Sequence, residues 1–139
     1  MSLQLTNQAD YATRAMFCLA KNGHDRLIPS NEIAEKMNIS QMFLSRINSL
    51  LSLAGLINTR RGAHGGISLA KPPSEITLYD IVAAVDGPVV LRHCHNDPGS
   101  CERREECEIR PVWDEINNML VDKLKSITLQ DMVDRKTRN

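Results

Sequence analysis

Residues 30–69 read "SNEIAEKMNISQMFLSRINSLLSLAGLINTRRGAHGGISL". Two helical periods and one strand period follow each other in this stretch. Ile33, Ala34 and Met37 make one apolar face on a short helix, which Pro29 precedes and Ser30 or Asn31 caps. Phe43, Leu44, Ile47, Leu50 and Leu51 make the face of a second helix, capped by Ser40 and ended by Gly55. Only "NIS" separates the two, so the pair reads as a helix-turn-helix. The period then falls to two: Leu56, Ile57 and Thr59, a glycine-rich tip, then Ile67 and Leu69. That pattern predicts a β-hairpin. A helix-turn-helix followed at once by a basic hairpin is a winged helix.

Working outward, "NQADYATRAMFCLAKNG" (7–23) predicts a first helix with Tyr11, Ala12, Ala15, Met16, Leu19 and Ala20 at helical spacing and Gly23 as its stop. "TLYDIVAAVDG" (77–87) predicts another, capped by Thr77. Residues 87–107 read as irregular. "EIRPVWDEINNMLVDKLKSI" (108–127) then resumes a helix of about five turns, with Pro111 in its tolerant first turn. Its stripe of Ile109, Val112, Trp113, Ile116, Met119, Leu120 and Leu124, interrupted by Lys123, suits pairing with a second copy, the alternative being that it packs back on its own domain. "TLQDMVD" predicts a short terminal helix, and "RKTRN" a frayed tail. No repeat is expected. The fold class is therefore mainly α with a small β-hairpin: a winged helix-turn-helix at 1–86, a cysteine loop at 87–107, and a long dimerisation helix with a terminal helix at 108–139.

Of the 139 residues, 42% are hydrophobic but only 4% aromatic, so the core must be aliphatic. No apolar run reaches the eighteen or so residues of a membrane span. The start, "MSLQLTNQADYATRAM", lacks the basic and apolar regions of a signal peptide, so a cytoplasmic protein without membrane partners is expected. Net charge is zero, yet residues 1–70 hold seven basic against four acidic residues, compatible with nucleic acid. There is no nucleophile with a base at useful spacing, no phosphate loop and no cofactor fingerprint. No enzyme activity or small-molecule substrate is expected.

In a helix-turn-helix the second helix presents its N-terminal residues to the major groove. Here those are Ser40, Gln41, Met42, Ser45 and Arg46. Gln41 can pair two-pronged with adenine, and Arg46 with guanine or phosphate. The wing "TRRGAHGG" adds Arg60, Arg61 and His64. Neighbouring strand residues point oppositely, so one arginine is expected in the minor groove, Arg61 by preference, and the other on phosphate.

Cys94, Cys101 and Cys107 stand at Cys-x6-Cys-x5-Cys on a polar, glycine-containing loop. Clustered thiols in a reducing compartment favour metal binding over disulfides. Zinc sites use tighter Cys-x2-Cys pairs, so the wide gaps suit a larger iron–sulfur centre, with zinc or inert thiols as alternatives. Cys18, among apolar neighbours, reads as a buried thiol.

Taken together, "LTNQADYATRAM", "NISQMFLSRINSLLSLAGLI", "RRGAHGGISLAKP", "ITLYDIVAAVDG", the three-cysteine loop and "ITLQDMV" resemble the Rrf-type family of winged-helix transcription regulators. That family includes iron–sulfur-assembly regulators and nitric-oxide sensors. The resemblance covers nearly the whole chain and implies a homodimer with an iron–sulfur cluster on the loop cysteines. The first cysteine gap here is one residue longer than the family's usual one. Three cysteines leave one ligand missing. In 2Fe–2S relatives it is a histidine three residues after the last cysteine, where this chain has Arg110, which cannot ligate. In the nitric-oxide-sensor branch an aspartate early in the first helix, given by the other subunit, caps a 4Fe–4S cluster. The matching residue is Asp10, with His93 and His95 as local rivals.

The expected function is a dimeric regulator, a repressor, of two-fold symmetric double-stranded DNA sites. An iron–sulfur cluster (4Fe–4S favoured, 2Fe–2S the alternative) would control its DNA affinity in response to nitric oxide, redox state or iron and cluster supply. The competing readings are a zinc-stabilised or cluster-free DNA-binding regulator and, further off, a small iron–sulfur redox protein.

Overall fold

A computed structural model of the chain describes residues 4–23, 26–91 and 108–138. Cys94, Cys101, Cys107, His93 and His95 lie outside the described residues.

Helix α1 (Asn7–Lys21) opens on Thr6, whose hydroxyl accepts the Ala9 N–H at 3.0 Å, and ends as Gly23 turns to φ +103°. Its buried face of Ala9, Ala12, Ala15, Met16 and Leu19 carries small residues that let neighbouring helices approach closely. Helices α2 (Ser30–Met37) and α3 (Gln41–Leu53) are joined through Asn38, whose φ of +55° is one that Asn tolerates. Ile39 is buried in that turn, and Ser40 caps α3 by accepting the Phe43 N–H at 3.2 Å.

The start of α2 differs from expectation. Ser30 and Asn31 do not cap it; Pro29 takes the cap position and offers no side-chain acceptor. The reason is tertiary. Ile28 is tied to the wing by two hydrogen bonds, its N–H to the Ile67 carbonyl at 2.9 Å and its carbonyl from the Ile67 N–H at 2.8 Å. Extended backbone through Ile28 and Pro29 then delivers Ser30 already helical.

Strands β1 (Ile57–Arg60) and β2 (Gly66–Leu69) form the expected antiparallel hairpin, with Ile57 opposite Leu69 and Arg60 opposite Gly66. A single 3-10 turn (Pro73–Glu75) leads to α4 (Leu78–Asp86). Helices α5 (Arg110–Ser126) and α6 (Leu129–Arg138) complete the described chain. Helix α6 thus runs into the segment expected to be a frayed tail.

A short repeat that the sequence reading missed organises the C-terminal part. "ITLYD" (76–80) and "ITLQD" (127–131) are near copies. Each forms a reciprocal cap: Thr77 and Asp80 exchange bonds of 3.0 and 3.1 Å, and Thr128 and Asp131 do the same. The two caps also pair backbone to backbone, Leu78 N–H to the Ile127 carbonyl at 2.8 Å and Leu129 N–H to the Ile76 carbonyl at 2.9 Å. Ile76 and Leu129 are fully buried as a result. Helix α6 thereby returns onto α1, and Leu129 belongs to the same aliphatic core as Met16, Leu44, Ile47 and Ile81.

Helix α5 packs on α4 but keeps much of its apolar stripe outward. Val112 is 56% and Met119 65% exposed, and Ile109, Ile116 and Leu120 are also exposed. Trp113 and Leu124 are half-buried, so the stripe divides between α5's outer and inner faces. Asn117 is the buried polar residue of this helix. Its amide oxygen accepts the Leu91 N–H at 2.8 Å and its amide nitrogen donates to the Val89 carbonyl at 3.5 Å, fastening residues 89–91 to α5 at the approach to the cysteine segment. At the C-terminal end of α4, the Thr6 hydroxyl donates to Asp86 at 2.6 Å, and the Gln8 amide reaches the Val85 carbonyl and Asp86. These bonds hold the start of α1 against the end of α4.

Candidate nucleic-acid interface

Between α3 and the hairpin lies a polar groove of ≈ 940 Å³. One wall is a helical stripe of α3: Gln41, Ser45, Asn48, Ser49, Ser52 and Leu53. The opposite wall is the wing, with Thr59, Arg60, Arg61, Gly62, Gly65 and Gly66. Pro29, Ser30 and Asn31, at the start of α2, also line it. The lining holds two arginines and no carboxylate, so the groove favours an anionic ligand.

The predicted contact residues are all at the surface. Gln41, Met42, Ser45, Arg46, Arg60, Arg61 and His64 are exposed, and Met42 is 86% so. Gln41, Ser45, Arg60 and Arg61 face the groove; Met42, Arg46 and His64 are not part of its lining. The Ser40 hydroxyl is engaged in capping α3. Both wing arginines line the groove. Strand β1 ends at Arg60, so strict alternation does not extend to Arg61.

Sequence reasoning missed Asn48, Ser49, Ser52 and the Pro29–Asn31 segment. The signal was available on α3, where 41, 45, 48, 49 and 52 recur at three- and four-residue steps and all are polar. Ser49 lies with Ser45, donating its hydroxyl to the Ser45 carbonyl at 3.2 Å.

Asp10 lies in the first turn of α1, partly exposed, with the Arg14 guanidinium 3.2 Å from its carboxylate. Arg14 also sits over the Tyr11 ring, 5.8 Å from its centroid. Arg110 is engaged with Asp114 at 3.3 Å. Among the described residues no group of three His, Cys, Asp or Glu converges on a metal position. Cys18 is buried on α1, and burial is the main cause that raises its thiol pKa above the ordinary value. It is a buried core thiol, as its sequence context suggested. No helix among the described residues is long and apolar enough to cross a membrane.

Fold and groove define a winged helix-turn-helix protein of the kind that binds DNA. Residues 5–135 match the Rrf2 family, described as iron-dependent transcriptional regulators, and the chain belongs to that family. It is 31% identical to the regulator IscR of Pectobacterium carotovorum over 134 residues, covering 96% of this chain and 81% of that one. Among solved structures, CymR, the global cysteine regulator of B. subtilis, superposes with a TM-score of 0.79 at 29% identity, covering 96% of this chain and 98% of that one. IscR of T. potens superposes with a TM-score of 0.78 at 28% identity, covering 98% and 90%. These relatives are transcriptional regulators, and the chain is a regulator rather than an enzyme.

Proposed function

We propose that the protein is a cytoplasmic, dimeric repressor that binds two-fold symmetric duplex DNA through α3 and the wing. An iron–sulfur cluster held by Cys94, Cys101 and Cys107 controls its affinity. The observation that carries the DNA part is the carboxylate-free groove with Arg60 and Arg61 on one wall and the polar stripe of α3 on the other. Gln41, Met42, Ser45 and Arg46 address the major groove, with Ser40 at their head. Arg61 addresses the minor groove, and Arg60 and His64 the backbone. The exposed apolar face of α5 supports pairing with a second copy, since a contiguous row of Val112, Ile116, Met119 and Leu120 calls for a cover. On this reading 1–86 reads DNA, 87–107 senses, and the long helix in 108–139 dimerises.

The donor set suits an iron–sulfur cluster: three soft thiolates and, from the second subunit, the Asp10 carboxylate, with His93 and His95 as rivals. The cluster would supply a site sensitive to nitric oxide, redox state or iron and cluster supply, with 4Fe–4S favoured over 2Fe–2S. Asp10 fits such a role because it is partly exposed and its partner Arg14 forms only a surface pair, worth at most about 1 kcal/mol. Donated across the dimer, Asp10 would tie one subunit's α1 to the other's loop. Releasing it lets the two α3 helices change spacing, and half-sites one or two helical turns apart no longer fit both. The likeness to a cysteine regulator favours a second reading, in which the loop thiols act without a cluster.

Anaerobic purification with an absorption spectrum and iron and sulfide counts separates the two. Four irons per chain, or about that, supports the cluster reading. A colourless protein after reconstitution removes it and leaves the thiol or zinc reading. An Asp10→Ala protein with unchanged cluster, reactivity and DNA affinity would remove Asp10 from the ligand set.

A further inference from the structure

Two sets of polar groups lining the α3–wing groove lack hydrogen-bond partners among the described residues. The first is Asn48. It is only 9% exposed, yet its side-chain amide finds no hydrogen-bond partner among the described residues. A buried amide without a partner is costly, and it persists where a ligand supplies the missing bond. Asn48 lines the groove. The second is the start of α2. Pro29 gives no side-chain cap, and its carbonyl serves the N–H groups of Glu32 and Ile33. The N–H groups of Ser30 and Asn31 are left without an acceptor among the described residues, and both residues line the same groove.

We propose that Asn48 and the uncapped N-terminus of α2 form a clamp for one backbone phosphate of duplex DNA, additional to the contacts of α3 and the wing arginines. The clamp rests on the reading of this groove as the DNA interface. The phosphate oxygens would accept from the Ser30 and Asn31 amides and from the Asn48 side-chain amide, with the helix N-terminus adding a favourable dipole. The donors are held in place before DNA arrives. The Ile28–Ile67 bridge locks the residue two positions before Ser30 to β2, and Gly66 allows that approach. A backbone contact carries no base information, so the clamp sets register and general affinity rather than specificity. Glu32, in the first turn of α2, is paired with Lys36 at 3.4 Å and is not part of the groove lining.

Two substitutions test this on the full chain. Asn48→Leu removes an unpartnered buried amide at similar volume, so the melting temperature should stay level or rise. Affinity for a 30-base-pair mixed-sequence duplex, read by fluorescence anisotropy at low salt, should fall about tenfold, as expected when a bond to a charged group is lost. Ser30→Pro removes one donor at a position where helices accept proline, so helix content should persist while duplex affinity falls similarly. Arg61→Ala is the control for the groove itself. Should Asn48→Leu and Ser30→Pro bind like wild type while Arg61→Ala loses affinity, the clamp is wrong and the groove reading stands. Unchanged binding in all three variants removes the groove reading and the clamp with it. A lower melting temperature with unchanged affinity makes Asn48 structural and overturns its role. If Asn48→Leu fails to fold, Ser30→Pro decides. In a further arm inorganic phosphate alone is titrated. Stabilisation by phosphate that Ser30→Pro abolishes, with duplex affinity unchanged, would reassign the site to a free anion and overturn the proposal.

Discussion

Gly66→Ala probes the joint that sets the groove's width. A methyl group at Gly66 would lie 2.7 Å from the backbone carbon and oxygen of Ile28 and 3.1 Å from its nitrogen. Those atoms belong to fixed backbone, so the hairpin or the approach to α2 has to move. The displacement strains both hydrogen bonds of the Ile28–Ile67 bridge. Overpacking costs about 1–3 kcal/mol, and each weakened bond about 0.5–1.5 kcal/mol. A loss of roughly 2–4 kcal/mol is expected, because movement that relieves the clash also weakens the bonds. At about 4 °C per kcal/mol for a chain of this size, the melting temperature should drop by roughly 8–16 °C at fixed protein concentration. The protein should still fold at 25 °C, since domains of this kind have about 5–15 kcal/mol of stability. Because Ser30, Asn31 and the wing arginines are held together by this joint, duplex affinity should fall about tenfold or more. Chemical denaturation and fluorescence anisotropy on the same preparation measure both. A variant within about 0.5 kcal/mol of wild type and with unchanged affinity would refute the claim that the Ile28–Ile67 contact positions the groove.

Met119→Glu places a charge in the exposed row of α5; native mass should shift from dimer to monomer with helix content retained, and an unchanged dimer would move the interface elsewhere. Thr128→Ala removes half of the second reciprocal cap and should cost about 1 kcal/mol, seen as a lower denaturation midpoint with an unchanged slope. Cys18, in a variant with Cys94, Cys101 and Cys107 changed to Ser, should react with a thiol reagent only after denaturation; fast labelling of the folded protein would contradict its burial. Its pKa is raised by burial, so the folded chain keeps the proton longer than the unfolded one. The associated stability is full below the ordinary thiol pKa of about 8.5 and declines as pH rises past it. Melting temperatures of wild type and Cys18→Ala should therefore converge from pH 8 to 10.

Much of this protein is legible in short stretches of its chain. Ser40 and Thr77 mark helix starts, Gly23 and Gly55 helix ends, and the change of period at Leu56 marks the wing. Each signal acts within a few residues, through a cap, a turn or one apolar face. The candidate base-reading residues follow from that local frame, and so does the three-cysteine spacing. Family membership, by contrast, rests on the order and spacing of many weak markers along nearly the whole chain.

What only the tertiary structure decided depends on which distant surfaces meet. Ser30 looked like a cap and is helical, because Ile28 is pinned by Ile67, a residue of the wing. The tail that looked frayed is helical through Arg138. The copies at 76–80 and 127–131 pair backbone to backbone and set Leu129 into the core, from which α6 runs on to Arg138. Asn48 is one of several polar residues on α3, and packing buries it beside the groove without a partner among the described residues. Local patterns choose helix or strand through backbone preference and periodic burial. Long-range pairing alone decides which polar groups are left waiting for a ligand.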